Sequence, residues 1–408
     1  MKAKWVQIKL GTICDSISTT HKFDKKKIVL INTSDVLAGK VLNHTYVKNK
    51  DLRGQFKKSF RCEDILYSEI RPKNRRFAFI DFNAEDYVAS TKLMVIRSNK
   101  KYVLPQYLFQ ILKSDPVINQ LHMLAETRSG TFPQITFKEL SNIPFSLPPL
   151  IEQRAIAATL SCLDDKIEIN NKINANLEAQ AQTIFKSWFV NFEPLQDGEF
   201  VESELGMIPR GWHVRKLGDI ARYVGERIPV SHCNTENYIS TENMQANKQG
   251  VIEATSLPSM PAVSRYEEHD ILISNIRPYF KKIWFSDKVG GCSNDVLVFR
   301  ARHAAFIGVL YSVLYSDTFF EHATATSKGT KMPRGDKTAI MSYPIALPAM
   351  PESSIYIQQL NTIVLEFQKK ITGLRKENQA LAALHDTLLP KLMSGQIEVP
   401  MEVQNANT

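Results

Sequence analysis

The sequence repeats one pattern at an offset of about 200 residues. The pattern W-x-x-x-K-L-G-x-I begins at Trp5 and again at Trp212. Three further pairs of segments follow in the same order, with a slowly drifting offset: Asp64–Pro72 with Asp270–Pro278, Leu108–Asp115 with Leu310–Asp317, and Leu147-Pro148 with Leu347-Pro348. A repeat of this length has the size of a domain and is far too long for a solenoid unit. The chain is therefore predicted to perform one task at two places.

Length and composition indicate a soluble protein of two or three domains. The 408 residues are 43% hydrophobic and 23% charged, which is ordinary for globular proteins. No apolar leader follows Met1, and the most apolar run, 304–315, is too short to span a bilayer. Five scattered cysteines without a C-x-x-C pair favour a reduced, cytoplasmic protein with no metal site. No membrane partner is expected.

Charge alternates along the chain. Residues 1–150 contain 25 Lys and Arg against 13 Asp and Glu, whereas 151–204 contain 4 against 10. Residues 205–350 are basic again, with 17 against 13. The two copies are thus basic and the segment between them is acidic. This pattern indicates a polyanionic partner such as nucleic acid, and the alternative is a basic protein without such a partner.

A heptad pattern follows each copy. Alternating steps of three and four give the first seam, Ile156, Leu160, Leu163, Ile167, Asn170, Asn174, Leu177, Ala181, Ile184 and Trp188. The second seam is Ile357, Leu360, Val364, Phe367, Ile371, Leu374, Asn378, Leu381, His385, Leu388 and Leu392. Such seams predict two long helices. Each begins after proline, at Pro148-Pro149 and at Pro351, and the second is expected to bend or end near Pro390.

Asparagines interrupt both seams, at Asn170 and Asn174 in the first helix and Asn378 in the second. Asparagine in a seam can fix helix register, although a fraying point in a solvated helix is the alternative. If the helices pair, chain order favours an antiparallel pair with one globular unit at each end. Each helix would be about 55–60 Å long. The pair would then act as a ruler between two basic domains.

Each copy also contains a basic hairpin that is predicted to contact DNA. Short Ile-, Val- and Phe-rich runs such as 64–70 and 77–82 read as strands, and 106–113 and 305–315 read as helices, so each copy mixes α and β structure. Between two strands lie Arg71, Lys73, Arg75 and Arg76 in the first copy, and Arg277, Tyr279, Lys281 and Lys282 in the second. Such a tip can present cations to phosphates or guanine edges, although a hairpin that only aids solubility is the alternative. Further candidate contacts are Lys57, Lys58, Arg128, Lys328, Lys331 and Arg334.

No catalytic motif stands beside these candidates. The sequence has no P-loop, no G-x-G-x-x-G and no Ser/His/Asp set that position alone can pick out. Leu147 precedes Pro148-Pro149, where an adenine methyltransferase would have Asn or Asp. We therefore expect a DNA reader without a catalytic centre. The alternatives are a methyltransferase or nuclease that acts alone, and a coiled-coil adaptor with incidental charge.

Several longer segments resemble the specificity (S) subunits of type I restriction–modification systems. Ile143-Pro-Phe-Ser-Leu-Pro-Pro-Leu-Ile-Glu-Gln153, Leu163-Asp-Asp-Lys-Ile167 and Ile184-Phe-Lys-Ser-Trp-Phe-Val-Asn-Phe192 resemble that family's first conserved region. The segment 204–212 is similar to the entry of its second recognition domain, and 387–395 resembles its second conserved region. The resemblance covers nearly the whole chain in the right order. It departs at 353–359, where a second Glu-Gln motif is degenerate.

The resemblance implies an α+β fold in which two homologous mixed α/β target recognition domains are separated by an antiparallel two-helix coiled-coil spacer. The implied boundaries are 1–150 for recognition domain 1, 151–192 for the first spacer helix, 193–350 for a linker and recognition domain 2, 351–395 for the second spacer helix and 396–408 for a flexible tail. Each recognition domain would read half of a bipartite, asymmetric site in double-stranded DNA.

The resemblance also implies partners. Two methyltransferase (M) subunits would methylate adenine with S-adenosylmethionine, and restriction (R) subunits would cleave DNA using ATP and Mg²⁺. This chain would bind none of these cofactors. An alternative is a related system in which one partner fuses the methyltransferase and nuclease.

Overall fold

The computed structural model describes residues 5–22, 25–49, 54–127 and 133–399. They pack as two compact units, one formed by 5–167 with 379–399 and the other by 168–378. Each unit contains one copy of the sequence repeat and part of each long helix. The domain boundaries implied by the resemblance separate the helices from the recognition domains, and they stay a prediction.

In the part of the first unit that the structure describes, twelve strands and three short helices precede the first long helix. The strands are β1 (Val6–Lys9), β2 (Cys14–Ile17), β3 (Lys27–Ile31), β4 (Val36–Leu37), β5 (Lys40–Val41), β6 (Tyr46–Lys48), β7 (Phe56–Ser59), β8 (Ile65–Ser68), β9 (Phe77–Phe79), β10 (Tyr87–Ser90), β11 (Leu93–Ser98) and β12 (Pro144–Leu147). The helices are α1 (Pro105–Leu112), α2 (Asp115–Glu126), α3 (Phe137–Ser141) and the long α4 (Leu150–Phe189).

A four-stranded sheet in the order β2-β11-β8-β9, here called the inner sheet, lies at the centre of this unit. Its side chains alternate between two apolar cores, as the twofold period of a strand requires. Ile65 and Tyr67 pack towards the helices, whereas Leu66 packs towards a second sheet, the outer sheet, in the order β6-β3-β10-β7. Burial on both faces explains why these runs carry almost no charge.

The second unit repeats this plan. Its strands are β13 (Phe200–Ser203), β14 (Gly206–Pro209), β15 (Trp212–Lys216), β16 (Ala221–Tyr223), β17 (Arg227–Pro229), β18 (Tyr238–Ile239), β19 (Ala262–Tyr266), β20 (Ile271–Ser274), β21 (Ile283–Phe285), β22 (Gly290–Cys292), β23 (Val296–Ala301) and β24 (Pro344–Pro348). Its short helices are α5 (Leu217–Ile220), α6 (Ile307–Tyr315), α7 (Asp317–Ala325) and α8 (Lys337–Met341), and the long α9 (Ile355–Met393) begins in this unit.

The inner sheet of this unit, β16-β23-β20-β21, matches that of the first unit strand for strand. Ile271 and Ile273 pack towards the helices and Leu272 packs towards the outer sheet, β17-β19-β22-β18. In each unit the strand that carries the W-x-x-x-K-L-G-x-I motif pairs antiparallel with the strand just before a long helix, β1 with β12 and β15 with β24. The predicted duplication is confirmed by this shared topology.

Both long helices form, and most seam positions are buried. Ile156 and Leu160 are buried in the first helix, as are Ile357 and Leu360 in the second. The chain after Pro351 first makes a 3-10 turn, so α9 begins only at Ile355. The α-helix also continues through Pro390 to Met393, because the proline lies in the last turn and removes only one helical hydrogen bond. None of the helices in the described part of the chain could span a membrane.

The helices pair antiparallel within the second unit. Asn170 of α4 lies opposite Asn378 of α9, and further along α4 Trp188 packs its ring on Tyr356, with the ring centres 5.9 Å apart. Asn170 is fully buried, and its Nδ2 donates to Asn378 Oδ1 at 2.8 Å and to Glu377 Oε2 at 2.8 Å. Asn174 is also buried. The structure thus joins two of the three seam asparagines, and their role in fixing register stays a prediction.

Candidate nucleic-acid interface

The predicted basic hairpin is present in both units and has one backbone conformation. Residues 72–74 and 278–280 each form a 3-10 turn between two antiparallel strands. The residue before each turn is left-handed, with φ of 47° at Arg71 and 52° at Arg277. The residue after it is left-handed too, with φ of 49° at Arg75 and 50° at Lys281. Four non-glycine residues in this sparsely populated region show that each turn is held by its surroundings.

Each turn is held by its proline and by a neighbouring loop. Pro72 and Pro278 are buried. The backbone N–H of Arg71 donates to the carbonyl of Pro133 at 3.1 Å, and that of Arg277 donates to the carbonyl of Pro333 at 2.7 Å. The Arg-Pro dipeptide of the repeat therefore has a structural role in both copies.

The first residue of each basic pair docks the hairpin on a helix. Arg75 contacts Asp115 at the start of α2, with 2.5 Å between Nη2 and Oδ1. Lys281 makes the same contact with Asp317 at the start of α7, at 2.8 Å. Asp317 also binds Lys248 at 2.8 Å, and these hydrogen bonds lower the pKa of the Asp317 carboxyl to about 2. Negative charge at a helix N-terminus is further favoured by the helix dipole.

The second residue of each basic pair bonds to a neighbouring loop. Arg76 donates to the carbonyls of Ser34 and Val36 at 3.0 and 3.2 Å. Lys282 donates to the carbonyl of Thr241 at 2.6 Å, and burial lowers its pKa. The recurrence of the basic pair therefore has a structural explanation, because both members tie the hairpin to the rest of its domain. Their contact with DNA stays a prediction.

The middle of each turn is different, because its side chains are exposed. Lys73 and Asn74 are exposed in the first unit. In the second unit Tyr279 and Phe280 are 48% and 37% exposed, and their rings lie 4.7 Å apart. The same backbone thus displays a cation and an amide in one copy and two aromatic rings in the other.

Lys57 and Lys58 lie next to each other on β7 but point in opposite directions, as neighbours on a strand do. Lys57 is exposed. Lys58 is only 14% exposed, and its ammonium donates to the carbonyls of Thr91 and Leu93 at 3.0 and 2.8 Å. Burial lowers the pKa of Lys58. Only Lys57 is therefore placed to reach a phosphate from this strand.

In the second unit a basic loop lies beside the hairpin turn. Lys328, Lys331 and Arg334 are exposed, and the loop is joined to the turn through Pro333. Two of these cations have acidic neighbours, since Lys328 pairs with Asp336 and Arg334 with Asp295. The structure thus brings these three candidates to the same surface as Arg277 and Tyr279. Arg128 lies outside the described residues.

Asp115, Asp317 and Lys248 were missed by the sequence predictions. The signal for the two aspartates was present, because both close a matched segment of the repeat. Lys248 had no such signal, and its ammonium lies 4.6 Å from the ring centre of Tyr315. Tyr315 in turn donates to Glu178 of α4, which also contacts Arg375 of α9 at 3.3 Å. Burial raises the pKa of Glu178, and the tyrosine hydroxyl and Arg375 oppose that rise.

Comparison with known proteins identifies this pattern. The family model "Type I restriction modification DNA specificity domain" matches twice, at residues 2–179 and 209–382. The specificity subunit of the type I restriction enzyme HindI of Haemophilus influenzae is 47% identical over 193 residues, which cover 47% of this chain but only 42% of that relative. The MjaIX specificity subunit of Methanocaldococcus jannaschii is 28% identical over 74% of this chain and 71% of its own.

A solved structure agrees with these matches in its fold. The S subunit of a type I restriction–modification system from M. genitalium superposes with a TM-score of 0.55, covers 96% of each chain and is 17% identical. The described residues contain no group of three or more His, Cys, Asp or Glu side chains arranged to hold a metal ion. Because the family model matches both copies, and the two matches together span most of the sequence, the chain belongs to the family of type I restriction–modification DNA specificity domains.

Proposed function

We propose that this chain is the specificity subunit of a type I restriction–modification complex and reads the two halves of a bipartite, asymmetric site in double-stranded DNA. The observation that carries the proposal is the duplication. Two copies of the specificity domain hold the same hairpin by the same contacts, yet display different side chains at its tip. One scaffold with two sets of exposed residues suits recognition of two different half-sites.

The chemistry would belong to partner subunits. Two methyltransferase subunits would bind S-adenosylmethionine and methylate adenine, and restriction subunits would use ATP and Mg²⁺ to cleave DNA. The present chain would supply sequence recognition and bind none of these cofactors. A non-catalytic role is supported by what the recurring charged side chains do. Arg75 and Lys281 form ion pairs that dock the hairpin on a helix.

The test is modification-sensitive sequencing of DNA from cells that carry the complete locus, with this gene intact, deleted, or deleted and restored. We expect deletion to remove one bipartite methyladenine motif and restoration to bring the same motif back. An unchanged methylome after deletion, in cells that express the partner subunits, would contradict the proposal. The identity of the partners follows from what co-purifies with the chain, either separate methyltransferase and restriction subunits or one fused protein.

Binding by the purified chain gives a second test. Each lysine or arginine that neutralises a phosphate releases a counterion, so affinity for duplex DNA should fall steeply as salt rises. An affinity that does not depend on salt would contradict phosphate contact by the basic loops.

A further inference from the structure

The side chains at the tip of the hairpin differ between the copies although the turn is the same. Around the turn, the proline is buried, the residue after the turn is paired with a helix aspartate, and the next cation bonds to loop carbonyls. These roles recur in both copies, so these residues cannot distinguish one half-site from the other. Within the turn, the two exposed positions whose chemistry differs between the copies are 73 and 74 in the first copy and 279 and 280 in the second.

We infer that these two positions determine sequence specificity, and that Tyr279 and Phe280 read their half-site through apolar contact with bases. This inference rests on the proposed function. The DNA feature that fits the ring pair is a thymine methyl group or a base step that can be partly opened, because an aromatic ring offers no charge to a phosphate. The first copy would instead use Lys73 and Asn74, whose side chains form hydrogen bonds with guanine and adenine edges.

The geometry of the ring pair favours this reading. The rings of Tyr279 and Phe280 contact each other at a centre-to-centre distance of 4.7 Å with 59° between their planes. Both belong to a 3-10 turn whose two flanking residues are held in the left-handed region. A rigid, exposed aromatic pair loses little conformational freedom when it binds, which suits recognition.

The charges near the rings favour nucleic acid as the partner. Arg277 and Lys282 lie about 6 Å from the ring of Phe280. The loop with Lys328, Lys331 and Arg334 is joined to the same turn through the hydrogen bond from Arg277 to Pro333. An apolar pair with these cations beside it fits bases flanked by phosphates. A partner protein would be the alternative occupant, and the experiment separates the two.

The experiment exchanges the tips between the copies in the full-length chain. One variant is Tyr279→Lys with Phe280→Asn, and its reciprocal is Lys73→Tyr with Asn74→Phe. A third variant, Tyr279→Phe with Phe280→Tyr, keeps both rings. The control Val289→Lys adds the same charge to the same unit at a residue that is also 48% exposed. Each chain is expressed with the partner subunits of its locus, and the methylated motif is read by sequencing.

We expect the first exchange to change base preference by about tenfold at one or more positions of one half-site and to leave the other half-site unaltered. The reciprocal exchange should alter the opposite half-site only. The ring-keeping variant and the control should retain the original motif. If one exchange fails to fold, the other still tests the inference.

Retention of both half-sites by a folded exchange variant would overturn the inference. So would a folded exchange variant that loses its partner subunits and its methylation while the purified chain still binds DNA with the original base preference, because the rings would then contact protein. Failure of the proposed function has a different signature, since deletion of the whole gene would then leave the methylome unchanged.

Discussion

The two copies agree in their inner sheets and differ in their outer sheets. In both outer sheets a central strand, β10 or β22, has one parallel and one antiparallel neighbour. The fourth strand is added at opposite edges. In the first copy β6 pairs with the parallel neighbour β3, and in the second copy β17 pairs with the antiparallel neighbour β19. The inner sheet, which packs on the helices, thus has the same strand order in both copies, whereas the outer sheet does not.

The central strand itself shows how differently the outer sheets are packed. In the first copy the central strand begins with Tyr87, whose ring centre lies 4.9 Å from that of Phe82 and whose hydroxyl is hydrogen-bonded to His44. In the second copy the corresponding strand begins with Gly290, and the side chain of Tyr266 occupies the position that a side chain at residue 290 would take. The two domains therefore place residues of very different size, Tyr87 and Gly290, at the start of the same strand.

The largest expected effect tests the element that both copies keep. A buried aspartate and an arginine form a two-bond ion pair in each inner sheet, Asp64 with Arg97 at 2.7 Å and Asp270 with Arg300 at 2.7 and 2.8 Å. Asp64→Ala should lower the free energy of unfolding by about 3–5 kcal/mol, because it leaves a partly buried guanidinium without its partner. Hydrogen exchange across β8 and β11 would measure the loss.

The second copy should be less sensitive to the same change. Arg300 also contacts Glu267 at 3.1 Å and Glu226 at 3.4 Å, and these two carboxylates remain in Asp270→Ala. Exchange protection across β20 and β23 should therefore fall less than in the first copy. Equal losses in the two copies would show that the additional glutamates do not compensate for the missing aspartate.

The next prediction concerns the outer sheets, where the copies differ. A Cβ atom at Gly290 would overlap the carbonyl of Asn237 and the ring of Tyr266. Gly290→Ala should therefore destabilise the second unit by about 1–3 kcal/mol, as overpacking does. Gly225→Ala is the matched control, because no atom lies within 4 Å of its added Cβ. Urea unfolding of both variants measures the difference. Equal urea midpoints for Gly290→Ala and Gly225→Ala would contradict the prediction.

Much of this architecture could be predicted from the sequence because it rests on periodic patterns. The repeat predicts two domains, and the seams predict both long helices with most of their buried faces. The outer sheets could not be predicted, because segments 36–60 and 224–266 share no sequence pattern. Nothing in the repeat therefore shows where β6 or β17 is added. The helix aspartates were overlooked although both close a matched segment, because an acid at a helix start is common and only the fold brings Asp115 to Arg75.

The basic residues show the same limit. Neighbours on a strand face opposite sides, so only one member of Lys57-Lys58 could face outward, but the sequence does not say which face is the core. Arg76 and Lys282 read as DNA contacts because they recur in the repeat. The structure shows that recurrence also follows from a shared need to hold a hairpin.

The lysine pair gives the third prediction. Lys58→Met removes two hydrogen bonds from an ammonium to the carbonyls of Thr91 and Leu93, and should cost about 1–2 kcal/mol of stability. Lys57→Met should change stability by less than about 0.5 kcal/mol. If Lys57 contacts a phosphate, its loss should also reduce the slope of log affinity against log salt by about one. Thermal unfolding and DNA titration of both variants measure the two effects, and a reversed pattern would place Lys58 at the DNA.

The smallest expected effect compares how the two hairpins are docked. Asp317 serves two cations, Lys248 and Lys281, whereas Asp115 contacts Arg75. The pKa of Asp317 is lowered from 3.8 to about 2 in the folded chain, so its ion pairs stabilise the fold above about pH 4 and this contribution is lost as the pH falls towards 2. Exchange protection at the start of α7 should therefore fall over that range in the native chain. It should be lower in Asp317→Asn at pH 6 and change less on acidification, while Glu321→Gln on the same helix should behave like the native chain. If exchange protection in Asp317→Asn depends on pH as it does in the native chain, packing of the turn alone docks the hairpin. Lys248 and Lys281 are then not needed for docking and are available to bind a phosphate.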